Sequence, residues 1–282
     1  MNKKIKLITD GSCDFPNEIL EKIDIDIVNM NVDFGEETYL ARVELDDETF
    51  FKKMRESEVL PKTSSPSPER FIEIFNKSES DEILVITISS KLSSTYSNAV
   101  LAKKLFLEKH PNIRLEVVDS DSTSIALALM VMKCAKMIEE GKTLDEILKF
   151  IEENKKELIV HGALNTLDNL IKGGRISKIA GQLINILNYK VIIKLQDGVV
   201  SSFDKARGDK NVIKKLFEHM ETRLDDSKDK VVIIGHASCY DKAEGIKEHI
   251  ENNYEVKKVF IASIGPIIGT YSADGAILIS VL

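Results

Sequence analysis

The sequence predicts an α/β fold made of two α/β domains whose sheets are mainly parallel. Short runs rich in β-branched residues alternate with longer stretches in which apolar residues recur every three or four positions, as in βαβ units. The chain has 282 residues, which corresponds to about two domains. Hydrophobic residues make up 43% and charged residues 30% of the sequence, a composition typical of folded globular proteins.

Eight strands are expected from the short apolar runs. They cover residues 5–9, 25–32, 82–88, 115–118, 158–164, 190–195, 231–234 and 257–264. Apolar residues at helical spacing predict helices over residues 94–110, 124–140 and 144–154. Ser67 before Pro68 marks another helix start, and Thr143 with Glu146 forms a capping box directly after Gly141 ends the preceding helix.

The domain boundary is predicted at the polar stretch 152–157. It divides the chain into an N-terminal α/β domain, residues 1–157, and a C-terminal α/β domain, residues 158–282. The same stretch could equally be the solvated end of a helix, since no segment rich in glycine or proline separates the halves.

Charge and hydropathy exclude several classes of protein. With 39 Lys and Arg against 46 Asp and Glu, the net charge is −7, which disfavours a nucleic-acid partner because such binding needs a basic face. The three cysteines lack paired spacing, so we expect reduced thiols and a cytoplasmic location. The first apolar run is too short for a signal peptide, and the longest, residues 125–132, is too short to cross a bilayer. We expect no transmembrane segment and at most transient contact with a membrane.

The familiar catalytic and cofactor motifs are incomplete or missing. The run Gly141-Lys142-Thr143 lacks the first glycine of a P-loop, and the sequence contains neither a dinucleotide-binding glycine motif after a strand nor a G-x-S-x-G elbow. The five histidines lack the spacing of a helical metal site. We therefore expect no cofactor and no metal, and a structural role is the simpler interpretation of His161 and His236.

Hydroxyl-rich loops at strand ends point to an anion site. Residues 89–96, Ser-Ser-Lys-Leu-Ser-Ser-Thr-Tyr, follow a predicted strand and open a helix, a position where α/β proteins bind ligands and helix amides favour an anion. Helix capping by Ser93 or Ser94 alone is the other interpretation. Loops 61–68 and 9–14 either add donors or only turn the chain. Neutral donors suit one carboxylate better than a phosphate, which usually recruits Arg or Lys.

Six motifs of the chain resemble the DegV family. They are, in order, residues 8–12 (ITDGS), 63–68 (TSSPSP), 92–96 (LSSTY), 118–120 (VDS), 167–177 (LDNLIKGGRIS) and 264–270 (IGPIIGT). Together they extend over nearly the whole chain, and their joint occurrence is specific.

The resemblance implies a protein that holds one long-chain fatty acid in a lipid tunnel at the domain junction. In the FakB proteins, the best understood members, the acid is presented to a separate ATP-dependent fatty acid kinase subunit, FakA, which forms an acyl phosphate for phospholipid synthesis. The resemblance implies that Thr63 and Ser93 bind the carboxylate, assisted by the loop at Ser94 and by Tyr271. It puts a kinase-facing surface at Lys205 and Arg207, and it implies a carrier rather than an enzyme.

The sequence departs from the family pattern in these loops. Tyr271 stands where the family commonly has a histidine, and its phenol can donate a hydrogen bond but carries no positive charge at neutral pH. Ser94 and Ser65 stand where the family often has glycine and glutamine. These changes concern head-group geometry and kinase coupling. The run Gly173-Gly174-Arg175 is interpreted as a tight turn with interdomain contacts, contact with ligand or partner being the alternative.

Two other functions stay open from the sequence. A hydrolase or acyltransferase would use Ser93 or Ser94 as nucleophile with His161 or His236 as base, although no spacing favours it. A lipid-responsive sensor would use the bound acid to control its contact with another protein.

Overall fold

The predicted α/β class is confirmed. A computed structural model describes residues 5–177 and 189–282, in which three sheets are surrounded by helices. Lys3 and Lys4, the basic residues at the start of the chain, lie outside this range. In the part of the chain that the structure describes, no helix is long and apolar enough to cross a membrane.

The first half of the chain supplies two sheets. Its strands are β1 (Lys6–Asp10), β2 (Ile25–Val28), β3 (Asn31–Phe34), β4 (Glu37–Leu40), β5 (Lys62–Ser64), β6 (Glu82–Thr87) and β7 (Arg114–Asp119). Its helices are α1 (Asn17–Leu20), α2 (Asp47–Glu56), α3 (Pro68–Phe75), α4 (Thr95–Leu107), α5 (Ser124–Glu139) and α6 (Leu144–Asn154), followed by a 3₁₀ turn (Lys155–Glu157).

The first sheet is parallel throughout, as predicted, with strand order β2-β1-β6-β7. Its two central strands, β1 and β6, are almost entirely buried because both faces of the sheet are covered. Phe71 and Phe75 of α3 and Phe106 of α4 pack on one face, and residues of α5 belong to the core on the other. The carboxyl ends of β1, β6 and β7 therefore open on the same edge, where the hydroxyl-rich loops lie.

The second sheet is small and antiparallel, with order β4-β3-β5. The single strand predicted over residues 25–32 is wrong in this detail, because the chain leaves the first sheet after Val28 and pairs again from Asn31. Strands β4 and β5 were not predicted. β3 brings Thr63 of β5 opposite Val32 and thereby positions the loop that follows β5.

The second half forms a six-stranded sheet. Its strands are β8 (Val160–Leu164), β9 (Tyr189–Gln196), β10 (Val199–Arg207), β11 (Val231–His236), β12 (Lys258–Ser263) and β13 (Ile277–Val281). Its described helices are α7 (Asp168–Gly173), α8 (Asp209–Asp225), α9 (Tyr240–Asn253) and α10 (Pro266–Ser272).

The expectation of mainly parallel sheets needs correction here. In the order β10-β9-β8-β13-β11-β12, only β11 and β12 pair in parallel. One cause is local, because Asp197 and Gly198, both with positive φ, form a tight hairpin turn that makes β9 and β10 antiparallel neighbours. The other is the position of β13 between β8 and β11, which no local pattern specifies.

Helix α5 joins the two halves. It packs on β11 and β13 of the six-stranded sheet, and eleven of its sixteen residues are buried. The largest hydrophobic core cluster accordingly contains residues from both sides of position 157. The stretch 152–157 forms the end of α6 and the 3₁₀ turn, and the division into domains 1–157 and 158–282 stays a prediction. The capping box of Thr143 and Glu146 is confirmed.

Candidate functional site

A cavity of about 280 Å³ lies between the hydroxyl-rich loops and the six-stranded sheet. The loops after β6 and β7 are neighbours because their strands are paired, and the amide of Ser89 donates to the carbonyl of Ser122 at 2.8 Å. The hairpin of β9 and β10 reaches the same loop, where the Ser89 hydroxyl donates to the Gly198 carbonyl at 3.0 Å. The cavity is thus bounded by elements from both halves of the chain.

The four predicted head-group residues all line this cavity: Thr63, Ser93, Ser94 and Tyr271. The hydroxyl oxygen of Thr63 lies 2.7 Å from the phenolic oxygen of Tyr271, so the end of β5 and the last turn of α10 meet there. The structure therefore brings together residues that are far apart in sequence.

The two serines lie at the start of α4. Ser94 is its N-cap residue and makes no side-chain capping bond. Instead, its hydroxyl lies 2.7 Å from that of Ser65, which also accepts from the Asn98 side chain at 3.1 Å. The Ser93 hydroxyl lies 2.8 Å from that of Thr95. The Ser93 hydroxyl also accepts from the amide of Thr95 at 3.3 Å, so Ser93 contributes to capping whereas Ser94 does not. Both serines line the cavity, and the N-terminal end of α4, with its partial positive charge, therefore lies at the cavity.

Tyr271 is held in position by the turn after α7. A Cβ atom on Gly173 would lie 2.5 Å from Cε1 of Tyr271, so the ring rests directly on the glycine backbone. The guanidinium of Arg175 lies over the same ring, 5.4 Å from its centroid. Gly174 ends α7 in the left-handed region at φ 69°, as the predicted tight turn requires.

Arg175, for which the sequence favoured an interdomain contact and left ligand contact as the alternative, is a residue of the cavity. It bonds to the carbonyl of Leu92 at 3.2 Å, the predicted kind of contact between the halves, and it also lines the cavity. Its charge changes the expected set of neutral donors, since a guanidinium favours a carboxylate nearby. Thr123 and Ser272 were missed, although Thr123 belongs to a further hydroxyl-rich segment, residues 120–124, at the start of α5.

The opposite wall of the cavity is apolar. It is formed by side chains of β8, β9, β10 and β13, which project from one face of the six-stranded sheet: Val160, Leu164, Ile193, Leu195, Val200 and Leu278. The cavity therefore has one polar end and one apolar wall.

A buried charge network lies behind the polar end. Asp14 accepts from the Ser124 hydroxyl at 2.5 Å, from the Gly265 amide at 2.9 Å and from Arg42 at 2.9 Å. Burial raises the pKa of the Asp14 carboxyl, and the charge of Arg42 opposes that rise. Arg42 also pairs with Asp47 at 3.0 Å. The network joins the loop after β1 to the starts of α5 and α10, and thereby fixes the elements that carry the cavity residues.

Lys205 and Arg207 lie on β10 outside the cavity lining. Lys205 is opposite Val191 and Arg207 is opposite Tyr189. Val191 shares a sheet face with the cavity residue Ile193, because alternate residues of a strand point the same way. The two basic residues therefore lie on the cavity side of the sheet, further along β10 than the cavity residue Val200.

The two histidines considered as catalytic bases do not line the cavity in the described part of the chain. His161 is buried on the opposite face of β8, with its ring against Phe203, and burial lowers its pKa to about 4. The ring of His236 packs against Tyr240. Within residues 5–177 and 189–282, no group of acidic, histidine or cysteine side chains could hold a metal ion.

Comparison with known proteins identifies related chains. A family model described as an uncharacterised protein of the DegV family matches residues 4–282. A fatty acid-binding protein of Thermotoga maritima is 33% identical, with 97% of this chain and 96% of that protein covered. A structure titled as fatty acid binding of a DegV family protein from Thermus thermophilus is 26% identical, with a TM-score of 0.90 and 99% of each chain covered.

A third related structure shows the shared fold at lower identity. The Fak B3 protein of Streptococcus pneumoniae, loaded with linoleic acid, is 23% identical, with a TM-score of 0.86 and 98% of each chain covered.

Proposed function

The chain belongs to the DegV family, and from that premise we propose that it binds one long-chain fatty acid in the cavity. The observation that carries the proposal is the division of the cavity into a hydroxyl-lined end and an apolar wall. A carboxylate with a long hydrocarbon tail has the same division. The fatty acid-binding relatives support the proposal.

The tail supplies most of the affinity in this account. Burying about 14 methylenes at about 0.8 kcal/mol each contributes on the order of 11 kcal/mol before the costs of ordering and association. The apolar wall on β8, β9, β10 and β13 is the surface against which these methylenes lie.

The head group is held by hydroxyls rather than by a buried ion pair. A carboxylate removed from water needs hydrogen bonds or a nearby cation. Thr63, Ser93, Ser94 and Tyr271 donate these bonds, with assistance from the N-terminal end of α4. Arg175, positioned over Tyr271, adds positive charge near the same end.

We further propose that the protein is a carrier that presents the carboxylate to a separate fatty acid kinase subunit. A carboxylate oxygen attacks the terminal phosphorus of ATP held by the kinase, and the bond between this phosphorus and the bridging oxygen of ADP breaks. The products are an acyl phosphate and ADP. This chain binds and orients the acid and supplies no catalytic group. Lys205 and Arg207 form the proposed docking surface, since Arg207 is exposed and both lie on the cavity side of the sheet. Use of ATP supports a cytoplasmic location.

Binding is tested with delipidated protein and radiolabelled palmitic acid. We expect about one acid per chain, and binding of methyl palmitate at least tenfold weaker because the ester has no carboxylate. Equal binding of acid and ester would contradict the head-group assignment.

Presentation to a kinase is tested by formation of palmitoyl phosphate with ATP and a purified FakA-type subunit. Lys205→Glu with Arg207→Glu should lower the rate at least tenfold without changing acid binding. Lys136→Glu with Lys149→Glu, on exposed lysines of α5 and α6, is the matched reversal of two charges and should leave the rate unchanged. If the wild-type protein binds the acid but no acyl phosphate forms with the kinase, the proposed role as a kinase partner is contradicted, whereas the proposed binding of a fatty acid is not. Release of alcohol from an activated acyl ester by this chain alone would instead favour the hydrolase.

A further inference from the structure

The apolar wall of the cavity contains a position without a side chain. Val160 and Leu164 of β8 both face the cavity, and Gly162 lies between them on the same face because alternate residues of a strand share a face. Gly162 is paired with Leu278 of β13 on one side and Ile193 of β9 on the other. Gly162 therefore lies within the apolar wall, between the strands that carry Leu278 and Ile193.

Leu278 and Ile193 fill the space above this glycine. A Cβ atom on Gly162 would lie 2.6 Å from Cδ2 of Leu278 and 2.9 Å from Cγ1 of Ile193. Both side chains are more than nine-tenths buried and both line the cavity. The two branched side chains thus lie over the glycine backbone and limit the depth of the cavity there.

We propose that Leu278 and Ile193, closed over Gly162, determine the length of the acyl chain that the cavity accepts. This inference rests on the proposed function and adds its chain-length specificity. Shortening Leu278 leaves a space that Gly162 has no side chain to fill, so the space remains available to the ligand. Adding a methyl group at Gly162 forces the end of the Leu278 side chain toward the ligand and shortens the space.

The two changes therefore predict opposite shifts. Delipidated proteins are incubated with an equimolar mixture of saturated acids of even length from 12 to 20 carbons, and the bound acids are extracted and measured by mass spectrometry. For two acids that differ by two carbons, we compare the bound amount of the longer acid with that of the shorter one. Leu278→Ala should raise this ratio about tenfold over the wild-type protein, because the enlarged cavity buries about two more methylenes. Gly162→Ala should shift the distribution toward shorter acids.

Ile279→Ala is the matched control. Ile279 is the next residue of β13, is also fully buried, and belongs to the core on the opposite face of the sheet. The Ile279→Ala variant should retain the wild-type distribution of bound acids. If Leu278→Ala does not fold, as judged by circular dichroism, Leu278→Val tests the same shift at smaller size.

The inference is overturned if the Leu278 and Gly162 variants keep the wild-type distribution, shift in the same direction, or shift no more than Ile279→Ala. Absence of any extracted acid from the wild-type protein as well would instead contradict the proposed function.

Discussion

The hydroxyl of Thr63 and the phenol of Tyr271 lie 2.7 Å apart although the residues are separated by 208 positions. Thr63 comes from a three-residue strand of the small sheet, and Tyr271 from a seven-residue helix near the end of the chain. Both line the cavity. Their contact joins the two halves of the chain at the point where the ligand's carboxylate is expected.

Removing either hydroxyl should weaken fatty acid binding. A hydrogen bond to a charged group contributes about 1.5–3 kcal/mol, so Thr63→Val and Tyr271→Phe should each raise the Kd about 10- to 100-fold. Because the two hydroxyls contact each other, we expect the double variant to lose less binding free energy than the sum of the losses in the two single variants. Isothermal titration of delipidated protein measures this. Thr38→Val, on an exposed threonine, is the control, and strict additivity would contradict the coupling.

Two neighbouring glycines should respond differently to alanine. Gly173→Ala places a methyl group against the Tyr271 ring and should weaken binding about tenfold by displacing the phenol. Gly174 has positive φ and open space around its Cβ position, so Gly174→Ala should cost about 1 kcal/mol of stability through backbone strain with little effect on the Kd. Thermal unfolding and titration separate the two effects. Equal effects of the two substitutions on the Kd would contradict the role of Gly173 in positioning the Tyr271 ring.

Arg42 should be important for stability. Its removal in Arg42→Met leaves the Asp14 carboxylate buried without its cation, which typically costs about 3–5 kcal/mol. Asp14 is 1% exposed, so water cannot replace the missing partner. Adding Asp14→Asn to Arg42→Met should recover part of the loss because the uncompensated charge is then absent. Urea unfolding measures the free energies, and a double variant less stable than Arg42→Met would contradict this account.

His161 should make the fold sensitive to moderate acid. Burial, followed by the nearby charges of Lys194 and Arg223, lowers its pKa from 6.5 to about 4 in the folded protein. The unfolded chain therefore binds a proton that the folded protein does not, and the free energy of unfolding falls as the pH drops from about 6.5 to about 4. The largest contribution is about 3 kcal/mol.

Urea unfolding between pH 4 and pH 7 tests the role of His161. His161→Gln should reduce the dependence on pH in this range, whereas His249→Gln, on an exposed histidine, should retain it. An unchanged dependence in His161→Gln would contradict the assignment.

The sequence predicted the parts of the fold that local patterns determine. All eight expected strands occur, although the one over residues 25–32 is divided, and the α6 helix occupies the predicted residues 144–154. Strands β4, β5, β10 and β13 were missed. β4 and β5 are short and are stabilised mainly by pairing with β3. The Asp197-Gly198 turn was a local signal for the β9–β10 hairpin, whereas the place of β13 depends on contacts distant in sequence.

The cavity residues Thr63, Ser93, Ser94 and Tyr271 were found because their loops contain motifs that resemble a family. Arg175 was not assigned to the cavity because its direction depends on the left-handed turn at Gly174 and on the Leu92 carbonyl, neither of which a motif specifies. Gly162 could not be recognised at all, since its role depends on Leu278 and Ile193 in two other strands.

The most direct measurement is denaturing extraction of the purified protein, followed by mass spectrometry of the released small molecules. The account predicts about one long-chain fatty acid per chain. An empty protein that also fails to take up added palmitic acid would contradict it.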